Sequence, residues 1–277
     1  MNYFEEILVP VDFTVNTEVA VKKAVELAIP GFTSIILYHV ITDTNRKTAA
    51  QQAAANAERK LQQWKQQVAE LEPELDVDIV VQPGSHIENS IISFAASLGD
   101  CLIVIGKNHY HSFFPFLNTV VSANIAEQCG RAVLTVMPGS ICKSLKTVLI
   151  PVGTFFPQKK IEVLLKLGLR LKLKVQLLSI FHNDQQPDDH TNSILLQTMR
   201  AIRSRLQCPV QHTIIHSNSK AMATLRFAGK IGADLLLVNP ETDASVAKWI
   251  CKKDITAVSS PVSQLQVISI QPVAAES

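Results

Sequence analysis

The chain has 277 residues, of which 47% are hydrophobic and 18% are charged, and its formal net charge is +2. This length suits two domains of roughly 140 residues each, and this composition excludes a largely disordered chain. Lys and Arg are scattered and form no arginine-rich tract, so the sequence carries no electrostatic signal for nucleic acid or an acidic membrane.

The first half alternates short apolar strands with longer helical segments. A polar segment from Asp12 to Thr17 precedes the first helix, and Pro73 closes a long helix that is rich in Ala, Gln, Glu and Lys. The pattern predicts strands at 7–11, 34–41, 77–81, 101–105 and 132–137, and helices up to Ala28, then at 48–72, 87–98 and 118–129.

The second half repeats the first. Ile7–Asp12 (ILVPVD) returns 141 positions later as Val148–Gly153 (VLIPVG), and Gly-Asp before the fourth strand returns as Gly-Ala-Asp. Segment order and proline placement also recur, which indicates duplication of one unit. The repeat predicts strands at 148–152, 175–181, 210–215, 235–238 and 267–270, a helical region at 188–206, and domains at 1–138 and 147–277 joined by a linker at 139–146.

Apolar strands that alternate with helices of about 12 or more residues favour right-handed crossovers and a parallel sheet covered on both faces. On the long helix, we expect Leu61, Trp64 and Val68 to face inward. On the helix at 87–98, the core spacing selects Ile91, Ile92, Ala95 and Ala96.

The cellular compartment is predicted from the N-terminal segment, the lengths of the apolar stretches and the cysteines. Met1–Glu6 is acidic and lacks a basic region, and no apolar stretch approaches the roughly 20 residues that span a bilayer. The five cysteines are odd in number and form no CxxC pair. We therefore expect a soluble, cytoplasmic protein with reduced thiols.

Five segments form recognisable motifs. In the first half they are Ile7–Thr14 (ILVPVDFT), Leu37–Val40 (LYHV) and Gly99–Gly106 (GDCLIVIG); in the second half they are Val148–Val152 and Gly232–Val238. Together they resemble the universal stress protein family in its tandem, two-domain form. The resemblance implies two tandem α/β domains of flavodoxin-like, or adenine-nucleotide-alpha-hydrolase-like, fold. Each has a five-stranded, mostly parallel sheet flanked by helices.

The resemblance also implies a nucleotide site beyond the carboxyl ends of the strands. In nucleotide-binding members, an aspartate after the first strand and a valine at the end of the second hold adenine. A loop with the pattern Gly, two residues, Gly, nine residues, Gly, then Ser or Thr holds the phosphates. Asp12, Val40 and the first loop glycine, Gly106, match this pattern.

The rest of the phosphate loop departs from the family pattern. His109 stands at the second glycine, Thr119 at the third and Val120 at the hydroxyl position, where valine has no donor to offer. A slip of one residue would let Asn118-Thr119 imitate Gly-Ser, because Asn tolerates a left-handed backbone. We interpret the site as vestigial.

The second half departs further. Gly153 replaces the adenine aspartate, Asn239 and Thr242 replace the first two glycines, and Lys252 and Lys253 stand where Gly and Ser belong. Pro240 also removes a backbone donor from the loop. We expect no nucleotide binding by this half.

Other candidate chemistry lies in polar and aromatic loop segments. His109–His111 and Asp188–His190 can be read as metal ligands or, more simply, as solvated loops, and no third ligand is evident. Three phenylalanines in the loop over the crevice either fill it or contact an apolar ligand or protein partner. They are Phe113, Phe114 and Phe116.

We therefore predict a non-enzymatic stress-response protein with a degraded nucleotide site, no cofactor and no bound metal, which acts through contacts with a protein or an apolar ligand. An ATP- or AMP-binding regulator that uses the first domain is the alternative, and a hydrolase or transferase is a third. The resemblance implies an intramolecular pseudo-dimer in which strands 133–137 and 267–270 pair. A further homodimer remains open, and neither nucleic acid nor membrane is predicted as a partner.

Overall fold

The computed structural model describes residues 3–42, 47–106, 119–136, 144–240, 243, 246 and 264–271; for 47 and 119–121 it describes the backbone alone. The chain divides into two compact units, 3–141 and 142–277. His109, Phe113, Phe114 and Phe116 therefore lie outside the described residues, as does most of the predicted linker.

The first unit is an alternating α/β domain whose sheet has the order β3-β2-β1-β4-β5, with every pairing parallel. The sheet forms because its strands are almost continuously apolar, as a sheet covered on both faces requires. In chain order the elements are β1 (Glu6–Pro10), α1 (Val15–Leu27), β2 (Ser34–Ile41), α2 (Lys47–Leu71), β3 (Asp76–Pro83), α3 (Ile87–Ser97), β4 (Cys101–Gly106), α4 (Thr119–Cys129) and β5 (Ala132–Val136).

The second unit has the same architecture, with the strand order β10-β9-β6-β7-β8 and parallel pairing throughout. Its described elements are β6 (Thr147–Pro151), α5 (Gln158–Gly168), β7 (Lys174–Phe181), α6 (Asp189–Arg203), β8 (Val210–His216), α7 (Lys220–Ile231), β9 (Leu235–Val238) and β10 (Gln266–Ser269).

The core of the first unit packs α3 and α4 against the central strands. Leu8 on β1 and Ile103 on β4 are fully buried with Ile91 on α3 and Ile125 on α4. Each such side chain contributes roughly 1.5–3 kcal/mol by leaving water. Because all strands run parallel, their carboxyl ends meet at one edge of each sheet, which we call the carboxyl edge, and their amino ends meet at the opposite, amino edge.

The predicted fold class is confirmed, since both sheets are parallel and flanked by helices. Strands 34–41 and 235–238 have the predicted bounds. The assignment of Ala96 to the core was wrong: it is exposed, while Ile91 and Ala95 are buried. The two alanines lie about 100° apart on the helix, so only one of them faces the core.

Candidate functional site at the carboxyl edge

Asp12 follows β1 and organises the turn into α1. Its Oδ1 accepts hydrogen bonds from the Thr14 amide (3.0 Å) and the Thr14 hydroxyl (2.6 Å), and from the Thr17 hydroxyl. The Asp12 amide in turn donates to Thr17 Oγ1 at 3.3 Å. Oδ2 accepts none from the residues that the structure describes. The carboxylate therefore holds the first turn of α1 in place, as a side-chain cap does.

The side chain of Phe13 covers this turn. Its backbone is left-handed, with φ 61°. Its ring lies 4.7 Å from the ring of His39 on β2 and 5.9 Å from that of Trp64 on α2, and the ammonium of Lys60 lies 4.9 Å from its centroid. A bulky residue rarely adopts this backbone region, so the surrounding contacts hold it there. Phe13 thereby fastens α2 to the carboxyl edge.

Val40 is buried near the end of β2, and the turn after β3 approaches it closely. A Cβ added to Gly84 would lie 2.9 Å from Val40 Cγ1 and 2.3 Å from Ser90 Oγ, so a larger residue there would have to displace these two side chains. The Gly84 amide donates to the Ile41 carbonyl at 3.0 Å. Sequence reasoning missed Gly84, although a Pro-Gly pair directly after a strand is a recognisable signal.

Gly106 ends β4 against the first turn of α1. A Cβ added there would lie 2.0 Å from the backbone oxygen of Asn16. No side chain can occupy that space without moving α1. Gly106 is thus required by helix–strand packing, whatever else it contacts.

The fold brings three of the predicted site residues to one edge. Asp12, Val40 and Gly106 follow or end β1, β2 and β4, which are neighbours in the sheet. Thr119 and Val120 are the first two residues of α4, and their side chains are not described. The positions of His109 and the three loop phenylalanines stay untested.

The second unit has a buried ion pair at the carboxyl edge of its own sheet. Lys160, the third residue of α5, places Nζ 2.6 Å from Asp243 Oδ2 and donates to the Pro151 carbonyl at 2.8 Å. The same carboxylate oxygen accepts from the Asn239 amide at 2.9 Å. Gly153 stands where the first unit has Asp12, and no atom of the described residues lies within 4 Å of a Cβ added there.

Comparison with known proteins bears on both units. Residues 4–136 match the model of the Universal stress protein family. The first unit belongs to the universal stress protein family. This confirms the family predicted from the motifs. No curated protein matches the chain.

Solved structures resemble the chain in fold over both units. A universal stress protein from Archaeoglobus fulgidus DSM 4304 is 14% identical, with a TM-score of 0.68 over 100% of both chains. The cytoplasmic domain of a prokaryotic cation chloride cotransporter is 11% identical, with a TM-score of 0.58 over 96% of this chain and 95% of that one. At these identities the likeness shows the fold alone.

Tyr38 is a titratable residue near the candidate site of the first unit. Burial raises the pKa of its hydroxyl, and a hydrogen bond at Ser90 opposes that shift. The hydroxyl donates to Gln82 Oε1 at 3.1 Å, and the ring stacks on Phe94 at 4.6 Å. Tyr38 therefore stays a neutral donor beneath the site at neutral pH.

The candidate metal segment in the second unit forms a helix cap instead. Asp188 Oδ1 accepts from the Thr191 amide at 2.8 Å at the start of α6, and hydrogen bonds from Thr191 lower the pKa of this carboxyl. Within the described ranges no group of three His, Cys, Asp or Glu side chains is arranged to hold a metal ion. The same ranges contain no helix long and apolar enough to cross a membrane.

Proposed function

We propose that this chain is a non-enzymatic stress-response protein whose two nucleotide sites have degraded and which acts through contacts with other proteins. Family membership of the first unit supports the stress-response role. A cytoplasmic setting accords with the described cysteines, Cys101, Cys129 and Cys208, all of which are free thiols.

The observation that carries this proposal is the Lys160–Asp243 ion pair. It lies where β6 and β9 end, at the position where a family member would place its ligand. The Asn239 amide stands at the first position of the phosphate loop and donates to Asp243 instead of a phosphate. The Asp243 carboxylate thus occupies the ammonium and amide donors that a nucleotide phosphate would need.

The residues of the first unit fit a nucleotide incompletely. Asp12 already accepts three hydrogen bonds on Oδ1. Gly106 is explained by the Asn16 carbonyl that lies against it. His109 and Val120 replace the glycine and the hydroxyl that would complete a phosphate cradle.

An exposed aromatic pair supports action through contacts. Phe155 and Phe156 are both exposed, on the segment that joins β6 to α5 next to Gly153. Two exposed rings at an edge that has lost its ligand residues are typical of a surface that meets another molecule.

The alternative is an ATP- or AMP-binding regulator. One observation favours it: Asp12, Val40 and Gly106 come together on three neighbouring strands, and Asp12 Oδ2 still faces no donor among the described residues. This alternative needs only the first unit.

Isothermal titration calorimetry with ATP and with AMP separates the two. We expect no saturable heat that corresponds to a Kd below about 100 μM. Micromolar binding that Asp12→Ala abolishes and Glu18→Ala preserves would overturn the proposal. Glu18 is the matched control because it lies on the same helix in an exposed ion pair with Lys22.

A variant with a restored phosphate loop tests the same proposal from the opposite direction. The variant His109→Gly, Thr119→Gly, Val120→Ser restores the family pattern, and we expect it to gain measurable ATP affinity. If it gains none, erosion of the loop is not what prevents binding. Release of phosphate from ATP by the unmodified chain, lost in Asp12→Ala, would contradict the non-enzymatic part of the proposal.

A further inference from the structure

The two units carry opposite charges that the overall value hides. Residues 1–141 have 9 Lys and Arg against 15 Asp and Glu, a net charge of −6. Residues 142–277 have 17 against 9, a net charge of +8. A difference of this size between two copies of one fold calls for an explanation in terms of partners.

The negative charge of the first unit is concentrated at its amino edge. The connector from α2 to β3, Glu70–Asp76 (ELEPELD), has four acidic residues in seven positions. It lies beside the start of β1, because Ser34 on β2 pairs with Asp76 and its amide donates to the Glu5 carbonyl at 2.9 Å. The backbone carbonyl of Asp100 accepts from the Glu5 amide at 2.9 Å, which places Asp100 at the same edge.

Helix stability does not explain these acids. Helix C-termini carry partial negative charge and favour cations, yet the last turns of α1, α2, α3 and α4 contain no basic residue. Glu70 and Glu72 at the end of α2 therefore lie where they disfavour the helix slightly.

The positive charge of the second unit is concentrated at the equivalent edge. The connector from α5 to β7, Lys166–Lys174 (KLGLRLKLK), has four basic residues in nine positions, and Arg200, Arg203 and Arg205 follow at the end of α6. The α5–β7 connector touches the segment between α6 and β8, since Gly168 lies against the Leu206 side chain.

Both edges also expose apolar side chains among the charges. Leu71 is 76% exposed and Phe32 is 62% exposed on the acidic edge, and Leu169 is 54% exposed on the basic edge. An open cavity of about 600 Å³, lined by Arg203 and residues 206–211, lies next to the basic connectors. Exposed apolar anchors ringed by charge are the composition of an interface.

We propose that the acidic edge of one copy of this chain docks on the basic edge of a second copy. The acidic edge is Glu70–Asp76 with Phe32, and the basic edge is Lys166–Lys174 with Arg200, Arg203 and Arg205. Opposite charges guide the encounter, and Phe32 or Leu71 fills the cavity beside Leu206. Such a contact is heterologous, because it joins two different surfaces. Two copies can therefore form both contacts with each other, or each copy can bind a further copy to give a longer assembly.

A second copy fits better than a polyanion such as nucleic acid. The same chain supplies a complementary acidic edge, which would repel nucleic acid, and each edge has an exposed apolar residue that a phosphate backbone would leave unused. The contact is also independent of nucleotide binding, because each amino edge lies at the opposite end of its own sheet from the carboxyl edge that holds the candidate site.

Sedimentation velocity over a range of protein concentrations tests the proposal. At about 25 mM salt we expect self-association that weakens steeply towards about 300 mM. Glu72→Lys with Glu74→Lys, or Lys172→Glu with Lys174→Glu, should each weaken it at least tenfold. A mixture of the two double variants should associate again, because each supplies the edge that the other has lost.

Recovery in the mixture excludes misfolding as the cause of either loss. Glu18→Lys and Lys159→Glu are the matched controls: both lie in the first turn of a helix, away from the amino edges, and should leave association unchanged. A chain that stays monomeric at low salt and high concentration would overturn the proposal. So would binding of a labelled DNA duplex that is lost with Lys172→Glu and Lys174→Glu in a monomeric protein.

Discussion

The Lys160–Asp243 ion pair yields the sharpest prediction about stability. The side chain of Lys160 is 6% exposed and that of Asp243 is 13% exposed. Lys160→Met keeps the length of the side chain and removes its charge, which leaves the carboxylate buried with the Asn239 amide as a remaining donor. Breaking a buried pair in this way costs about 3–5 kcal/mol, and the surviving hydrogen bond places this case near 3 kcal/mol.

Lys159→Met is the matched control. Lys159 precedes Lys160 on α5, and its side chain is 49% exposed in an ion pair with Glu162 at 3.2 Å. Exposed pairs of this kind contribute at most about 1 kcal/mol. The two variants therefore make the same chemical change at adjacent positions, one in a buried, hydrogen-bonded ion pair and the other in an exposed ion pair.

Native-state hydrogen exchange measures the effect within one unit. In Lys160→Met, we expect the opening free energy of amides on β6 and β9 to fall by about 3 kcal/mol, while those on β1 and β4 keep theirs. Adding Asp243→Leu should recover most of the loss, because an apolar pair needs no desolvation of charge. If Lys160→Met and Lys159→Met lowered the opening free energy of these amides equally, the reasoning from the buried ion pair would be refuted.

Three further predictions concern single residues. Gly106→Ala should destabilise the first unit by about 3 kcal/mol in urea unfolding, because its Cβ would lie 2.0 Å from a backbone oxygen, whereas Gly153→Ala should stay within about 0.5 kcal/mol of wild type. Asp188→Ala should lower the Tm at pH 7, because hydrogen bonds from Thr191 lower the pKa of the Asp188 carboxyl in the folded state. The Tm difference between variant and wild type should shrink as pH falls from 3.8 through the folded pKa, and a difference that does not change with pH would contradict this reasoning. Burial raises the pKa of the Cys101 thiol to about 12, so mass mapping should find Cys208 alkylated before Cys101 at pH 8.

The sequence alone predicts much of this fold for identifiable reasons. Cys101–Gly106 is apolar throughout and buried throughout, so periodicity and burial agree. The predicted bounds of most described strands fall within two residues of the observed ones. The helices α5 and α7 were not predicted, although Ser219, whose side chain accepts from the Met222 amide, is a recognisable start signal for α7.

The site was predictable only in part. Asp12, Val40 and Gly106 were predicted because they match the nucleotide-site pattern of the family that the motifs resemble. Lys160 and Asp243 are 83 positions apart, and each looks like a surface residue in its own segment. Neither has a neighbour in sequence that signals burial, so only the tertiary structure brings the two charges together.

The two units show how one scaffold stabilises its carboxyl edge in two ways. The third residue of the helix that follows the first strand is Thr17 in one unit and Lys160 in the other. Thr17 is neutral and donates to the nearby Asp12, whereas Lys160 brings a charge that requires Asp243 as partner. Loss of the aspartate at Gly153 therefore goes with a new carboxylate supplied from beyond β9. In both units a carboxylate is hydrogen-bonded to the first turn of the helix that follows the first strand, and the unit that uses a buried ion pair has committed those charged groups to its own structure.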